Sequence, residues 1–559
     1  MLNYIKLIKK IFLVGAVIFI IALIMARSYK NTGWDSPLFI GEYDEVYTVD
    51  SAINVFYNYG DPHDYLYGGV VVYPQSFIFG VYELFTGEKP FYRGSYERPL
   101  HCSPEMRRVF PVGPIYIGRK LILAIYAVMI VLLCLIVARL SKSYLFSGFF
   151  ALLLLKDDLL QHFSIVIKPE IYTALFTALC YLTFVEIARK KERICFIWQS
   201  IFCGLAIGAK LSCLPLYSLL FFSSYALSSV NKESFIPEFK KLFIKGTITT
   251  AAVFLITNLG IIIHPHHYFK LLFSESGRLT GPAPVPWQQN IHVFYEWFNQ
   301  IQSSFLQFKF INNLTLWILI VFSVMWFVST DRLLFFGTFS FLGLSIFQNL
   351  NMRSQLYPRL FIHLNSIFYF IVIFALADAL NRVWHKMKDK YQKSITFDYY
   401  MFDKIVFMIL IGCFSYTNIN FLKNYTEPHA VMPSIMSDSR LTLLHYIKDN
   451  PSKEFMIFNF HYYDMPEEFF SFKNIIYFEK AYELNKIVKD KKAQYLVYFQ
   501  ENGGYGNYIE KSAITNHRSA ISLFESYPKF LEIKGNDNNI FGDTGPQVNP
   551  TVIIKKIYD

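Results

Sequence analysis

Leu121-Ile-Leu-Ala-Ile-Tyr-Ala-Val-Met-Ile-Val-Leu-Leu-Cys-Leu-Ile-Val-Ala138 carries no charge and stands between Arg119-Lys120 and Arg139. A helix of about 20 apolar residues, rising 1.5 Å at each, crosses a hydrocarbon core. Residues 119–138 satisfy that length, and the chain repeats the pattern. Further runs lie at 8–26, 144–163, 170–188, 194–209, 211–229, 244–263, 314–330, 333–350, 359–380 and 404–422. The reading is a polytopic α-helical membrane protein with about eleven transmembrane helices.

Composition agrees. The chain has 559 residues, of which 53% are hydrophobic, and its mean hydropathy is positive, too apolar for a soluble surface. Aromatics reach 18%, with 57 Phe and 39 Tyr, and many Tyr and Trp flank apolar runs, where amphipathic rings favour the membrane boundary. The formal charge of +11 does not point to nucleic acid, because Lys and Arg gather in short loops between apolar runs. Of seven cysteines only Cys102 falls in a polar segment, so neither a disulfide framework nor a zinc site follows. The first run lacks a convincing small-residue cleavage site and reads as an uncleaved span.

Charge bias sets the orientation. With a cytoplasmic N-terminus, the inner loops hold Arg139 and Lys142, then Arg189 to Arg193, then Lys232 to Lys245, then the basic stretch from Arg382 to Lys404. Residues 1–422 then form the membrane domain, with outer loops at 28–118 and 264–313. Residues 423–559 form a small C-terminal α/β extracytoplasmic domain, with strand-like runs at 455–460, 474–478, 495–499 and 551–558 and helical stretches at 441–448 and 481–492. A bacterial plasma membrane suits this layout. Residues 291–308 read as an interfacial amphipathic helix.

Chemistry concentrates on the outer side. After the first run comes Gly-Glu-Tyr-Asp44-Glu45-Val-Tyr, then Gly60-Asp61-Pro62 and Tyr73-Pro74. Adjacent carboxylates near a membrane face suit a base that takes a proton from a hydroxyl, although the same residues suit a solvated acidic turn. The turn between the third and fourth runs brings Lys168-Pro169-Glu170, and ionisable groups at a span end are costly unless paired, hydrated or used. For Lys168 the alternative is interfacial snorkelling. Asp157 and Asp158 interrupt the third run and mark either its interior or an early end.

Gly204-Leu-Ala-Ile-Gly208-Ala-Lys210 allows close helix packing through its glycines, while its lysine can neutralise a lipid phosphate. Arg353-Ser-Gln-Leu-Tyr357-Pro358-Arg359 precedes another span, where two arginines suit phosphate capture or serve as anchors. His264, His266 and His267 do not have the offsets of a metal site.

In their order along residues 1–380, these motifs resemble those of the multi-span GT-C glycosyltransferases, specifically the group of dolichyl-phosphate-mannose protein mannosyltransferases and bacterial lipid A aminoarabinose transferases. Asp44-Glu45 is similar to the family's acidic pair, and Arg119 to the arginine opening its second span. Lys168-Pro169-Glu170 is similar to its second acidic motif, with Glu where Asp is commoner. Gly204 to Lys210 resembles its Gly-rich stretch, and Arg353 to Arg359 its Arg-Tyr-Pro segment.

The resemblance implies inverting transfer of a sugar from a polyprenyl-phosphate carrier to a glycan, lipid or protein acceptor, with membrane lipids as the other partners. Asp44 would then be the base, Glu45 its partner, and Glu170 a second carboxylate. Lys168, Lys210, Arg353, Tyr357 and Arg359 would hold the donor phosphate. Whether the carboxylates at 44 and 170 share a divalent cation is left open by the sequence. Competing readings are a polysaccharide polymerase or ligase, a transporter, and an inactive, receptor-like relative.

Overall fold

The computed structural model describes residues 45–57, 62, 68–87, 112–164, 166–230, 234–266, 268–270, 287–306, 313–350, 358–390, 439–458, 473–478, 493–500, 527–534 and 551–557. These divide into two compact units. One lies within Asn54–Phe77 and Arg119–Asn420, the other within Ala26–Ile53, Ile78–Gly118 and Phe421–Asp559.

The helices in chain order begin with α1 (Glu45–Tyr57), α2 (Gly69–Thr86), α3 (Val112–Ser141), α4 (Tyr144–Lys156) and α5 (Asp158–Phe163). Next come α6 (Glu170–Lys190), α7 (Arg193–Ala209), a 3-10 turn (Leu211–Leu216), α8 (Tyr217–Ser228), α9 (Phe235–Thr257) and α10 (Gly260–Ile263). The set continues with α11 (Trp287–Leu306), α12 (Asn313–Thr330), α13 (Arg332–Leu350), a second 3-10 turn (Pro358–Phe361), α14 (Ile362–Lys390) and α15 (Ser439–Lys448).

Among the described residues, six segments are long and apolar enough to cross a membrane: Ile117–Ser141, Glu170–Lys190, Leu211–Ser228, Asn313–Thr330, Arg332–Leu350 and Arg359–Trp384. Tyr144–Lys156 and Arg193–Ala209 are shorter apolar helices. The runs expected at 8–26 and 404–422 lie outside the described residues.

Two expected spans are corrected. The run at 144–163 is broken at Asp157, whose carboxylate accepts from the Leu160 amide at 2.9 Å and so starts a new helix, α5. The run at 244–263 is broken at Asn258. There the backbone leaves the helical conformation, while the side chain donates to the Phe254 carbonyl at 2.9 Å and accepts from the Gly69 amide at 3.1 Å.

The centre of the membrane unit is α6, buried along almost its whole length, with α14 beside it. A helix apolar all round belongs inside a bundle, and both have that character over part of their length, Ile171–Val185 in α6 and Ile367–Ala377 in α14. Helices in lipid gain little from mutual burial of oily surface, so close approach has to come from small residues. Gly204 and Gly208 supply it. A Cβ at Gly204 would stand 2.7 Å from the Thr250 carbonyl, and one at Gly208 would stand 2.6 Å from the Thr257 hydroxyl, so α7 lies directly on α9. Gly68 makes a further close approach, since its Cβ would overlap the Gly208 carbonyl.

The expected amphipathic helix is α11. Trp297, Ile301 and Phe305 follow one another at a spacing of four residues and are buried, whereas Tyr295 on the opposite side is exposed. The Trp297 indole donates to Asn365 Oδ1 on α14 at 2.7 Å and packs against Phe361.

The C-terminal unit contains five strands: β1 (Phe455–Phe458), β2 (Ile475–Phe478), β3 (Tyr495–Gln500), β4 (Lys529–Ile533) and β5 (Thr551–Lys556). Their order is β2-β1-β3-β5-β4. β1 pairs parallel with β2 and β3, and β5 pairs antiparallel with β3 and β4. Alternate residues Phe455 and Ile457, Tyr495 and Val497, and Val552 and Ile554 form one core with Leu443, Leu444 and Ile447 of α15. Met456, Leu496 and Ile553 are buried as well, so the three central strands are covered on both faces. The α/β expectation stands. It missed β4, whose Lys529-Phe-Leu-Glu-Ile lies at the sheet edge, where burial imposes little patterning.

Candidate functional site

Four chain segments bring ionisable side chains to one end of the helical bundle: the first turns of α3, the turn before α6, the exit of α7, and the 3-10 turn leading into α14. The α6 entrance begins when α5 ends at Phe163. The backbone then turns, with the Lys168 amide donating to the Val166 carbonyl at 2.8 Å, and Pro169 starts α6 with its fixed φ of −70°. Glu170 therefore occupies the first helical position, where free amides favour negative charge.

Lys210 terminates α7. Its backbone is extended, its amide still reaches the Ala206 carbonyl at 3.0 Å, and a 3-10 turn follows at once. The close approach of Gly68 to Gly208 and Ala209, together with the Asn258 bridge to Gly69, fixes where this exit lies. From it the Lys210 ammonium reaches Glu170 Oε1 at 3.1 Å.

Three cations face that carboxylate: Lys210, Lys168 and Arg359. Glu170 is 2% exposed and Lys168 1% exposed. Burial, followed by the nearby Arg359 guanidinium, holds the Lys168 ammonium well below the usual lysine range, with Glu170 opposing and Lys210 adding to the effect. His162 on α5 joins the group, being half-buried and within electrostatic reach of Glu170, Arg359 and Arg119. Arg119 itself is 5% exposed. Buried like charges are destabilising unless an anion is shared among them, and the geometry suits an anion with several oxygens, such as a phosphate.

The sequence-predicted set divides accordingly. Lys168, Glu170, Lys210 and Arg359 come together. Asp44, Arg353 and Tyr357 lie outside the described residues, and Glu45 is described only as the first residue of α1. Sequence reading left out of the site His162, Arg119 and His363, a buried imidazole in the first turn of α14 that lies close enough to Lys210 to feel its charge. The available signal was position: Arg119 opens the 119–138 run, His162 stands one residue before the end of the 144–163 run and opens the turn containing Lys168, and His363 stands four residues after Arg359.

Asp157, read only as a span interruption, is a buried junction. Its Oδ2 accepts from Asn365 at 2.7 Å and from the Tyr369 hydroxyl at 2.8 Å. Asn365 in turn takes the Trp297 indole, so α5, α14 and α11 are tied directly behind the site. Among the described residues, one group has ligand atoms close enough to hold a metal ion: Glu186, Glu192 and Cys195, at the other end of α6. There Glu186 already pairs with Arg139 at 3.1 Å and Lys190 at 3.2 Å, which opposes a second positive charge.

No protein-family model matches the chain, and no curated protein matches it by sequence. Solved structures do. The archaeal oligosaccharyltransferase AglB from Archaeoglobus fulgidus, in complex with an inhibitory peptide and a dolichol-phosphate, is similar over 96% of this chain and 75% of its own, at 12% identity and a TM-score of 0.42. ArnT from Cupriavidus metallidurans bound to undecaprenyl phosphate is similar over 97% of this chain and 98% of its own, at 10% identity and a TM-score of 0.47. Its apo state gives the same coverage and identity with a TM-score of 0.45. At such identities residue roles do not transfer from those proteins to this one.

Proposed function

We propose that this chain is a GT-C-type membrane glycosyltransferase that moves a sugar from a polyprenyl-phosphate carrier to an acceptor hydroxyl on the outer face of a bacterial plasma membrane. The observation that carries the reading is the convergence of Lys168, Lys210 and Arg359 on the buried Glu170. Ionisable groups at the ends of membrane helices persist where they serve a substrate, and this set suits a lipid phosphate delivered from the bilayer.

In the reaction, the bond from the anomeric carbon to the phosphate oxygen breaks as the acceptor oxygen attacks from the opposite face, inverting the centre. The acceptor proton passes to Asp44, with Glu45 orienting the incoming hydroxyl. A phosphate is already a good leaving group, so one base and positive charge suffice, where a glycosidase needs an acid and a second carboxylate. Lys168, Lys210 and Arg359, joined by Arg353 and Tyr357, stabilise the charge that develops on the departing phosphate. Glu170 holds Lys210 in place and binds the acceptor or tunes the cations. The acceptor is a glycan, lipid or protein hydroxyl.

Membranes supplied with radiolabelled polyprenyl-phosphate sugars test this. Wild-type membranes are expected to yield labelled product, and Asp44→Ala, Glu45→Ala and Lys210→Ala membranes little or none. Full activity in Asp44→Ala and Glu45→Ala would reject the catalytic assignment, and label crossing sealed vesicles without glycosyl product would favour transport.

A further inference from the structure

Beside the cationic group lies a set of buried acceptor atoms that no described residue satisfies. Glu170 uses Oε1 for Lys210, while Oε2 has no hydrogen-bond partner. His363 hydrogen-bonds the Leu360 carbonyl through its ring, and its Nε2 has none. With the proton on Nδ1 of a neutral imidazole, Nε2 presents a lone pair. Asn349, at the end of α13, donates Nδ2 to the same Leu360 carbonyl at 3.3 Å and leaves Oδ1 without a partner.

The three residues are 1–2% exposed and belong to one connected arrangement. Asn349 and His363 share the Leu360 carbonyl, His363 faces the charge of Lys210, and Lys210 holds Glu170. α13 also packs on the 3-10 turn that follows Lys210. Ser345, one turn before Asn349, and Ser366, nearly one turn after His363, add buried hydroxyls that make no hydrogen bond. Each buried polar atom without a partner destabilises a fold by roughly 1–3 kcal/mol, so several together on adjoining elements imply a ligand rich in donors.

We infer that Asn349, His363 and Glu170 Oε2 form a carbohydrate subsite, accepting hydrogen bonds from the hydroxyl groups of the donor sugar beside its phosphate. The inference rests on the glycosyltransferase reading and adds to it the residues that distinguish a glycosylated carrier from a bare one. The division of labour is chemical. Cations take the phosphate, which is acceptor-only, and the unsatisfied acceptors take hydroxyls.

The test uses the full chain in nanodiscs, titrated with undecaprenyl phosphate and with undecaprenyl phosphate carrying glucose, mannose or N-acetylglucosamine. The wild type should bind at least one glycosylated carrier more tightly than the bare one. Removing an acceptor by His363→Phe or Asn349→Leu should weaken that carrier by about 5- to 10-fold each, leaving the affinity for undecaprenyl phosphate unchanged. His363→Gln, which restores a carbonyl acceptor near the Nε2 position, should recover part of the loss. Equal weakening of bare and glycosylated carriers would mean a structural role and overturn the inference, as would unchanged affinities or a wild type indifferent to every sugar. Failure of the wild type to bind even undecaprenyl phosphate would instead overturn the glycosyltransferase reading, and the subsite with it.

Discussion

The two ends of the central helix α6 treat charge in opposite ways. At its C-terminal end Glu186 lies between Arg139 and Lys190, and Asp378 of α14 lies between Arg189 and Arg382, with the Trp326 indole as an added donor at 3.1 Å. The outer cations there are wet: the Arg139 side chain is 62% exposed and that of Arg382 52% exposed. Water and pairing together settle these ions, and stacking of Arg189 on Phe374 adds packing. At the N-terminal end, two lysines and an arginine meet one carboxylate, and Lys168 and Glu170 are buried. One end is balanced as it stands; the other, under the proposed function, receives an anion.

The largest effect that would sharpen this contrast is on ligand affinity. Lys210→Met should lower undecaprenyl phosphate affinity by about 100-fold, which is about 2.7 kcal/mol, as expected when a partly buried charge-assisted contact is lost. Isothermal titration in nanodiscs measures it, and an unchanged affinity would erase the difference between the two ends.

Asp378→Ala should act on the fold instead. Removing a carboxylate shared by Arg189, Arg382 and Trp326 should destabilise by about 2–3 kcal/mol, less than a fully buried pair because Arg382 is half exposed. Thermal unfolding reads this loss, while lipid-phosphate affinity stays at the wild-type level.

Lys168 gives a smaller, pH-dependent effect. Its pKa is depressed in the free protein, and a bound phosphate raises it again. Binding therefore takes up a proton at pH values between the two, and affinity falls as pH rises through that window, by at most about tenfold per pH unit. Titrations in buffers of different ionisation enthalpy count the proton, and Lys168→Met should abolish the uptake. The smallest effect is expected for Arg382→Ala, about 0.5–1 kcal/mol, because Asp378 keeps Arg189.

Much of this architecture was legible in the sequence because burial in lipid demands long apolar runs. The helices α6, α12 and α13 follow those runs to within a residue or two. Where a run concealed a break, a single polar side chain marks it: Asp157 caps a new helix at the Leu160 amide, and Asn258 takes the Gly69 amide from a distant segment. Hydropathy averages over a window and does not see one residue's hydrogen bonds.

The site was half legible. Lys168, Glu170 and Lys210 announce themselves as charges at span ends, and Gly204 and Gly208 do pack as their spacing suggests. His363 and Asn349 do not, since a lone imidazole and a lone amide at helix ends look alike whether they are satisfied or not. The role proposed for them rests on sharing the Leu360 carbonyl, a contact across sequence that only the fold reveals.

The measurement that bears most directly on the charge contrast is the unfolding temperature of the purified chain in nanodiscs, with undecaprenyl phosphate added in one arm and undecaprenol in the other. The phosphate-bearing lipid should raise the unfolding temperature, and the alcohol, identical in its chain, should not. An equal rise with both lipids, or none with either, would contradict a site built for a lipid phosphate.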